Sequence, residues 1–339
     1  MHALHVRWRL AGALLLVVLL LDVLLVTTPA SAQRFYPDDP IWEDPDRMDM
    51  PAPQPRGGTD AFDPFGFLAR TFGQPGSHDG PAVNVNTLGE VPNSSWYTNR
   101  HYHDPMTPEA LARGPNTEAP PDTTAPWTVV SVGRQDGLPR ATVRDTAGRT
   151  YRLTIDRRAH PELATGAAVI ASRLLHALGY NVPEHHLLRI GPEQLKAATD
   201  TTVTRADVWG IFNAAPSDQD GTYRVLLTRM PGAEARLGPF AFHGTRSDDA
   251  NDIFPHEARR ELRGLRVIAA WINHSKIRSE RTQDVLVRED GRQFVRHYLV
   301  ELLTALGSGG HVPKAKWSGH EHILDLRAVL TRVGTLGFS

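Results

Sequence analysis

The chain has 339 residues, 40% of them hydrophobic, a formal net charge of −1 and no cysteine. That composition supports a real core, excludes global disorder, and offers no basic surplus to attract nucleic acid or anionic lipid. Without cysteine there is no disulfide, thiolate nucleophile, cysteine-bound zinc or cysteine-linked lipid.

The first element is a leader. Arg7 and Arg9 precede an apolar run from Leu10 to Val26, broken only by Asp22, and Ala30-Ser31-Ala32 offers small residues for cleavage. The pattern predicts a secretory signal peptide over 1–32, cut before Gln33, and a periplasmic or secreted destination. An uncleaved anchor is the competing expectation, and Asp22 and the Ala-x-Ala site weigh against it. Beyond this leader no stretch is long and apolar enough to span a bilayer, so no further membrane contact is expected. Export without cysteine suits a bacterial envelope protein better than a eukaryotic secreted one.

Residues 33–80 are rich in Pro, Asp and Gly, and are predicted to be extended or disordered apart from a short helix over 61–72. Residues 81–125 include "NVNTLGEVPNSSWYTNRHYHD", dense in side chains that make specific hydrogen bonds. They predict an ordered strap on the main domain. Trp96, Asn99 and Arg100 either anchor it or contact a ligand, and anchoring is favoured because aromatic and Arg side chains are typical interface anchors.

The compact domain begins at 126. "WTVVSVGR" and "RATVRDTAG" read as strands of a hairpin around Asp136-Gly137, and "TYRLTID" as a third strand. A helix is expected over 160–180, with Pro161 near its start, an apolar face of Leu163, Val169, Ile170, Leu174 and Leu178, and Gly179 at its end. "HHLLRI" and "TYRVLLTRM" read as two more strands. A second helix over 255–274 carries Leu262, Leu265, Val267, Ile268 and Trp271. The strands "DVLVRE" and "QFVRHYLVEL" follow, joined by Asp290-Gly291. Sheet first and helix-led part second predicts an α+β fold of two parts, about 126–232 and 233–339.

Several local patterns suggest chemistry only weakly. His101-x-His103 and His320-x-His322 could each chelate a metal from one strand face, but two ligands do not make a site, and polar loop histidines are the plainer expectation. His185-His186 would point to opposite faces of a strand. Ser275 beside His274 lacks the strained elbow of a serine nucleophile. The "GSGG" of 307–310 offers backbone N–H groups to an anion, or is a flexible turn.

The stretches "NVNTLGEVPNSSWYTNRH", "PELATGAAVIASRLLHALGYNVPE", "GPFAFHGTRSDDANDIFPHEARRELRGLRVIAAWINH" and "RHYLVELLTALGSG" carry a broader likeness. Through them the chain resembles a group of exported, mostly uncharacterised bacterial proteins distantly similar to the protein-kinase-like superfamily, near its HipA and CotH branches. The resemblance implies a two-lobed kinase-like fold, an antiparallel-sheet N-lobe and a helix-led C-lobe. It also implies a site with a strand lysine, a helix glutamate, an acidic pair after Asn-His, a metal-binding asparagine and an Asp-Phe-Gly-like turn.

This chain departs from that site at each position. The lysine's place falls on Thr154, and no lysine precedes Lys196, so Arg152, Arg157 or Arg158 would have to serve the phosphates. The helix glutamate's place falls on Ala168, with Glu162 at the helix start. The acidic pair becomes Ser275 and Lys276, the asparagine Arg281, and the turn Glu301-Leu302-Leu303. Glu301 and Asp284 are the carboxylates left to hold a cation. Losing one charge-stabilising group costs on the order of a hundredfold in rate, so several losses imply an inactive, pseudokinase-like protein without cofactor. Its expected role is binding or structure in the envelope, with an envelope protein or small ligand as partner. The competing expectation is a divergent phosphotransferase using Mg²⁺ and ATP through Glu301 and Asp284, with Arg152 and Glu162 toward the nucleotide. A third follows from the chain's end at Ser339, where the family usually continues: a shortened, non-functional paralogue.

Overall fold

The computed structural model describes residues 40–56, 80–102, 104–199, 201–230, 233–274, 276–316 and 318. The chain divides into two compact units, Met1–Ile41 with Asn86–Gly89, and Trp42–Val85 with Glu90–Ser339. In the first, the Asn86 side-chain amide donates to the Ile41 carbonyl. All that follows concerns the second. The leader, the helix expected over 61–72, His103, Ser275 and the His320–His322 pair lie outside the described residues. No helix among the described residues is long and apolar enough to cross a membrane.

The fold is mixed α+β, with two antiparallel-rich sheets and few helices among the described residues. β1 (Trp127–Gln135), β2 (Leu138–Arg144) and β3 (Thr150–Thr154) form a meander. Asp136 and Gly137 both take positive φ, the twist that a two-residue hairpin loop needs. A Cβ on Gly137 would also lie 2.3 Å from the His311 ring, so glycine is required there twice over. β4 (Glu184–Ile190) and β6 (Tyr223–Arg229) extend the meander past β3, and short β5 (Leu195–Ala197) pairs parallel with β1. The order of this six-stranded sheet is β4-β6-β3-β2-β1-β5. The second sheet is β7-β8-β9, from β7 (Ala233–Gly238), β8 (Thr282–Glu289) and β9 (Arg292–Leu299). Asp290-Gly291 closes β8 on β9 with the same positive-φ pair.

The helices are α1 (Pro108–Arg113), α2 (Leu163–Ala177), α3 (Arg205–Gly210) and α4 (Arg260–Trp271). One core lies on the α2 side of the large sheet and joins α2, α4, Trp96 and the stretch after β9; a second lies on the other face, with Val208, Ile211 and Phe212. The expected apolar faces of both long helices need correction. α2 buries Ala164, Ala168, Ala171 and Leu175, while Ile170 and Leu178 are exposed. Small side chains let this helix pack closely on both its neighbours. α4 buries Leu262 and Leu265 but leaves Val267 and Trp271 in solvent. α1, α3, β5 and β7 were not expected; at three to six residues they are too short for periodicity to register.

Two straps tie these layers together. Residues 42–56, part of the stretch read as extended or disordered, run along the small sheet: the Met50 N–H donates to Gln293 O and the Arg56 N–H to Leu237 O. Asp46 accepts from the Ser95 N–H and hydroxyl, joining this strap to the next. In the second strap Tyr97 bridges to Tyr180 and the Thr98 N–H donates to Gly179 O. Gly179 ends α2 at φ +103°, and a Cβ there would come within 2.2 Å of the Tyr97 ring.

Candidate functional site

The tip of the β1–β2 hairpin meets the polar loop after α4, and the singled-out charges gather here. Asp136 accepts from Lys276 Nζ at 3.0 Å and from both terminal nitrogens of Arg281 at 2.9 and 3.0 Å. Burial alone would raise the Asp136 carboxyl, but these hydrogen bonds outweigh it and hold the group below its ordinary value. On the neighbouring strand Arg152 donates to Glu301, a buried carboxylate. Glu301 and Arg281 both line a recess of about 10 Å³, room for about one water, with His274, Ile277, Arg278, Thr282, Leu299 and Leu302. That lies below the roughly 300–1,000 Å³ of ordinary ligand pockets.

Other expected positions fall elsewhere. Thr154 and Ala168 are buried. Glu162 is largely exposed and lies 3.7 Å from Arg224, not against Arg152. Arg157 donates to Gly137 O and Arg158 to Ala215 O, so both are spent on loop carbonyls. His274 is buried next to Thr304; burial, then Lys314, pushes its imidazole down to about 4. The "GSGG" turn lies against Asp136, with the N–H groups of Ser308, Gly309 and Gly310 bonded to Ala305 O, Val312 O and Ser308 Oγ. With three of the turn's four N–H groups spent in this way, too few remain to cradle an anion.

Asp284 lies at a second polar centre, between Arg246 Nη1 at 3.0 Å and His297 Nδ1 at 2.7 Å. Among the described residues no three His, Asp or Glu side chains gather as a metal cluster. Asp284 and Glu301, each turned to a guanidinium, therefore do not fit a divalent cation as they stand.

Trp96 lies over the His297 ring at 3.5 Å, with the Arg259 guanidinium 4.6 Å from its own ring. Arg259 in turn pairs with Asp252, whose other oxygen meets His256 at 2.6 Å. Burial would raise Asp252, but His256 and then the charges of His297 and Arg259 hold it well below the carboxylate range. Asn99 donates to Val91 O, and Arg100 to the carbonyls of His176 and Tyr180 at the end of α2. All three strap residues thus make contacts within the protein. The Arg246–Asp252–Arg259 network was missed from sequence. Its signal is the charge density of "HGTRSDDANDIFPHEARRE", too high to bury unless the charges pair.

Comparison with protein-family models, with curated proteins and with solved structures gives no match.

Proposed function

We propose that this protein is a binding or structural module of the bacterial envelope, built on a kinase-like two-lobed frame and inactive in phosphotransfer. The observation that carries this reading is the fate of the charges at the cleft. Where the resemblance expects acids and a metal ligand free for substrate, Lys276 and Arg281 close onto Asp136, and Glu301 onto Arg152. Groups paired this way neutralise one another instead of meeting charge that develops in a transition state. The two-lobed frame draws support from the sheet order: strands β1 to β6 lie within 127–229, with α2 between β3 and β4, and β7 to β9 follow 232.

The competing phosphotransferase reading draws on Glu301 lining the recess. Thermal unfolding of the purified chain with and without ATP and Mg²⁺ separates the readings. The module reading expects a cooperative melt, no Mg²⁺-dependent shift with ATP and no transfer of the terminal phosphate. A Mg²⁺-dependent shift that disappears in Glu301→Ala would establish the phosphotransferase instead. A melt without cooperativity would count against both readings.

A further inference from the structure

α4 carries an apolar stripe with no cover among the described residues. Val267 and Trp271 stand one turn apart, at i and i+4, so they share a face, and they are 72% and 70% exposed. Ala270 beside them is exposed too. The Arg263 side chain turns away to the carbonyls of Glu257 and Gly80, which extends the stripe back to Gly264. Leu262, Leu265 and Ala269 face the core on the opposite side. The C-terminal half of α4 is thus apolar on two faces, a pattern that belongs to a helix covered on both.

The described chain ends against this same helix. Asn273, just past α4 at φ +51°, donates from its side-chain amide to Ser318 O at 2.9 Å, and Lys314 Nζ bonds to both oxygens of Asn273. From Ser318 the sequence continues as 319–339, and there Ile323, Leu326, Val329, Leu330 and Val333 recur at helical spacing. Arg327, Thr331 and Arg332 fall on the other side with Leu324, and Gly334 supplies a stop. A helix over 321–333 is about 20 Å long, against about 18 Å for the 12 residues of α4. A chain anchored at a helix end and turning within a few residues returns along that helix, as in an αα-hairpin.

We propose that residues 321–333 form an amphipathic helix that docks antiparallel on the stripe of Gly264, Val267 and Trp271. Ile323 meets Trp271, and Leu326 and Leu330 lie toward Val267 and Gly264. The occupant is this chain's own segment because Asn273 and Lys314 hold its start beside the stripe, at an effective concentration that a separate partner does not match. The docking is independent of whether the cleft is catalytic.

The test uses the absence of cysteine from the chain. Val267→Cys in the full chain introduces a single thiol, and Tyr102→Cys, at a residue 73% exposed, serves as the unprotected reference. Docking predicts that the Val267→Cys thiol reacts with a neutral alkylating reagent about tenfold more slowly than the reference. Adding Leu326→Asp with Leu330→Asp should restore the fast rate, while adding Leu324→Asp, on the far side, should leave it slow. A cooperative melt shows that each variant is folded. Equal rates for the two thiols in the otherwise unaltered chain would overturn the proposal without recourse to the aspartate variants. Protection that survives Leu326→Asp with Leu330→Asp, or that rises with protein concentration, would give the face to a second copy and overturn it as well.

Discussion

Asp136 holds the first loop position of the β1–β2 hairpin at φ +48°, a conformation that Asp and Asn adopt more easily than most residues. Its carboxylate at the same time receives Lys276 and Arg281. Asp136→Asn keeps the turn and removes only the charge, so its effect isolates the ion pairs. A loss of about 1.5–3 kcal/mol in urea unfolding is expected, the range for hydrogen bonds to charged groups. Adding Arg281→Gln should then cost little more, because the partner is already gone. Fully additive losses would show that the two residues do not act together. The sequence marked Lys276 and Arg281 as sites of lost acids, but marked Asp136 only as a turn former. Their partnership spans 140 and 145 residues, and no local pattern carries information over that distance.

The second strap behaves as part of the core. Trp96 is 4% exposed, stacked on His297 and edge-on to Phe240, while Arg100 caps the carbonyl end of α2. Trp96→Ala should destabilise by about 3–5 kcal/mol, as removal of a buried aromatic does. Tyr102→Ala, six residues on and 73% exposed, should stay within about 0.5 kcal/mol. Equal costs in urea unfolding would remove the strap from the core. Strands and hairpins were legible because Asp-Gly turns and alternating residues declare themselves locally. The buried faces of α2 and α4 were not. Which side of a helix is inside depends on what covers it, and here small residues of α2 face inward while Val267 and Trp271 of α4 face solvent.

Taken whole, the molecule buries many ionisable groups, and their acidities set its response to pH. The pairing of β5 with β1, and of β4 with β6 beside β3, joins segments far apart in the chain, so this topology lay beyond sequence patterning. It also encloses histidines. Burial is the main cause that pushes His176, His185 and His274 from 6.5 to about 4, with Arg100 adding to it at His176 and Lys314 at His274. The unfolded chain takes up these protons first, so the stability they contribute is fully present above pH 6.5 and lost as the pH falls toward 4. Asp44 acts in the opposite sense. Burial, then Asp46, raises it to about 6, so its contribution is present below 3.8 and lost as the pH rises through 6. Burial raises Asp46 and Asp249 in the same sense but less strongly, so the three imidazoles, each moved to about 4, outweigh the three carboxyls and make acid destabilising over this window. Below it a second loss begins at Glu184: burial would raise it, but His186, Thr117 and Arg229 hold it at about 2, so its contribution fades between pH 4.5 and 2. Urea midpoints measured from pH 7.5 down to 4 should therefore fall steadily from about pH 6.5. His185→Gln, which keeps a donor near the Pro183 carbonyl, should make that fall shallower. Midpoints flat between pH 7 and 4.5, or a His185→Gln profile parallel to that of the unaltered protein, would mean that the enclosed imidazoles do not govern the acid response.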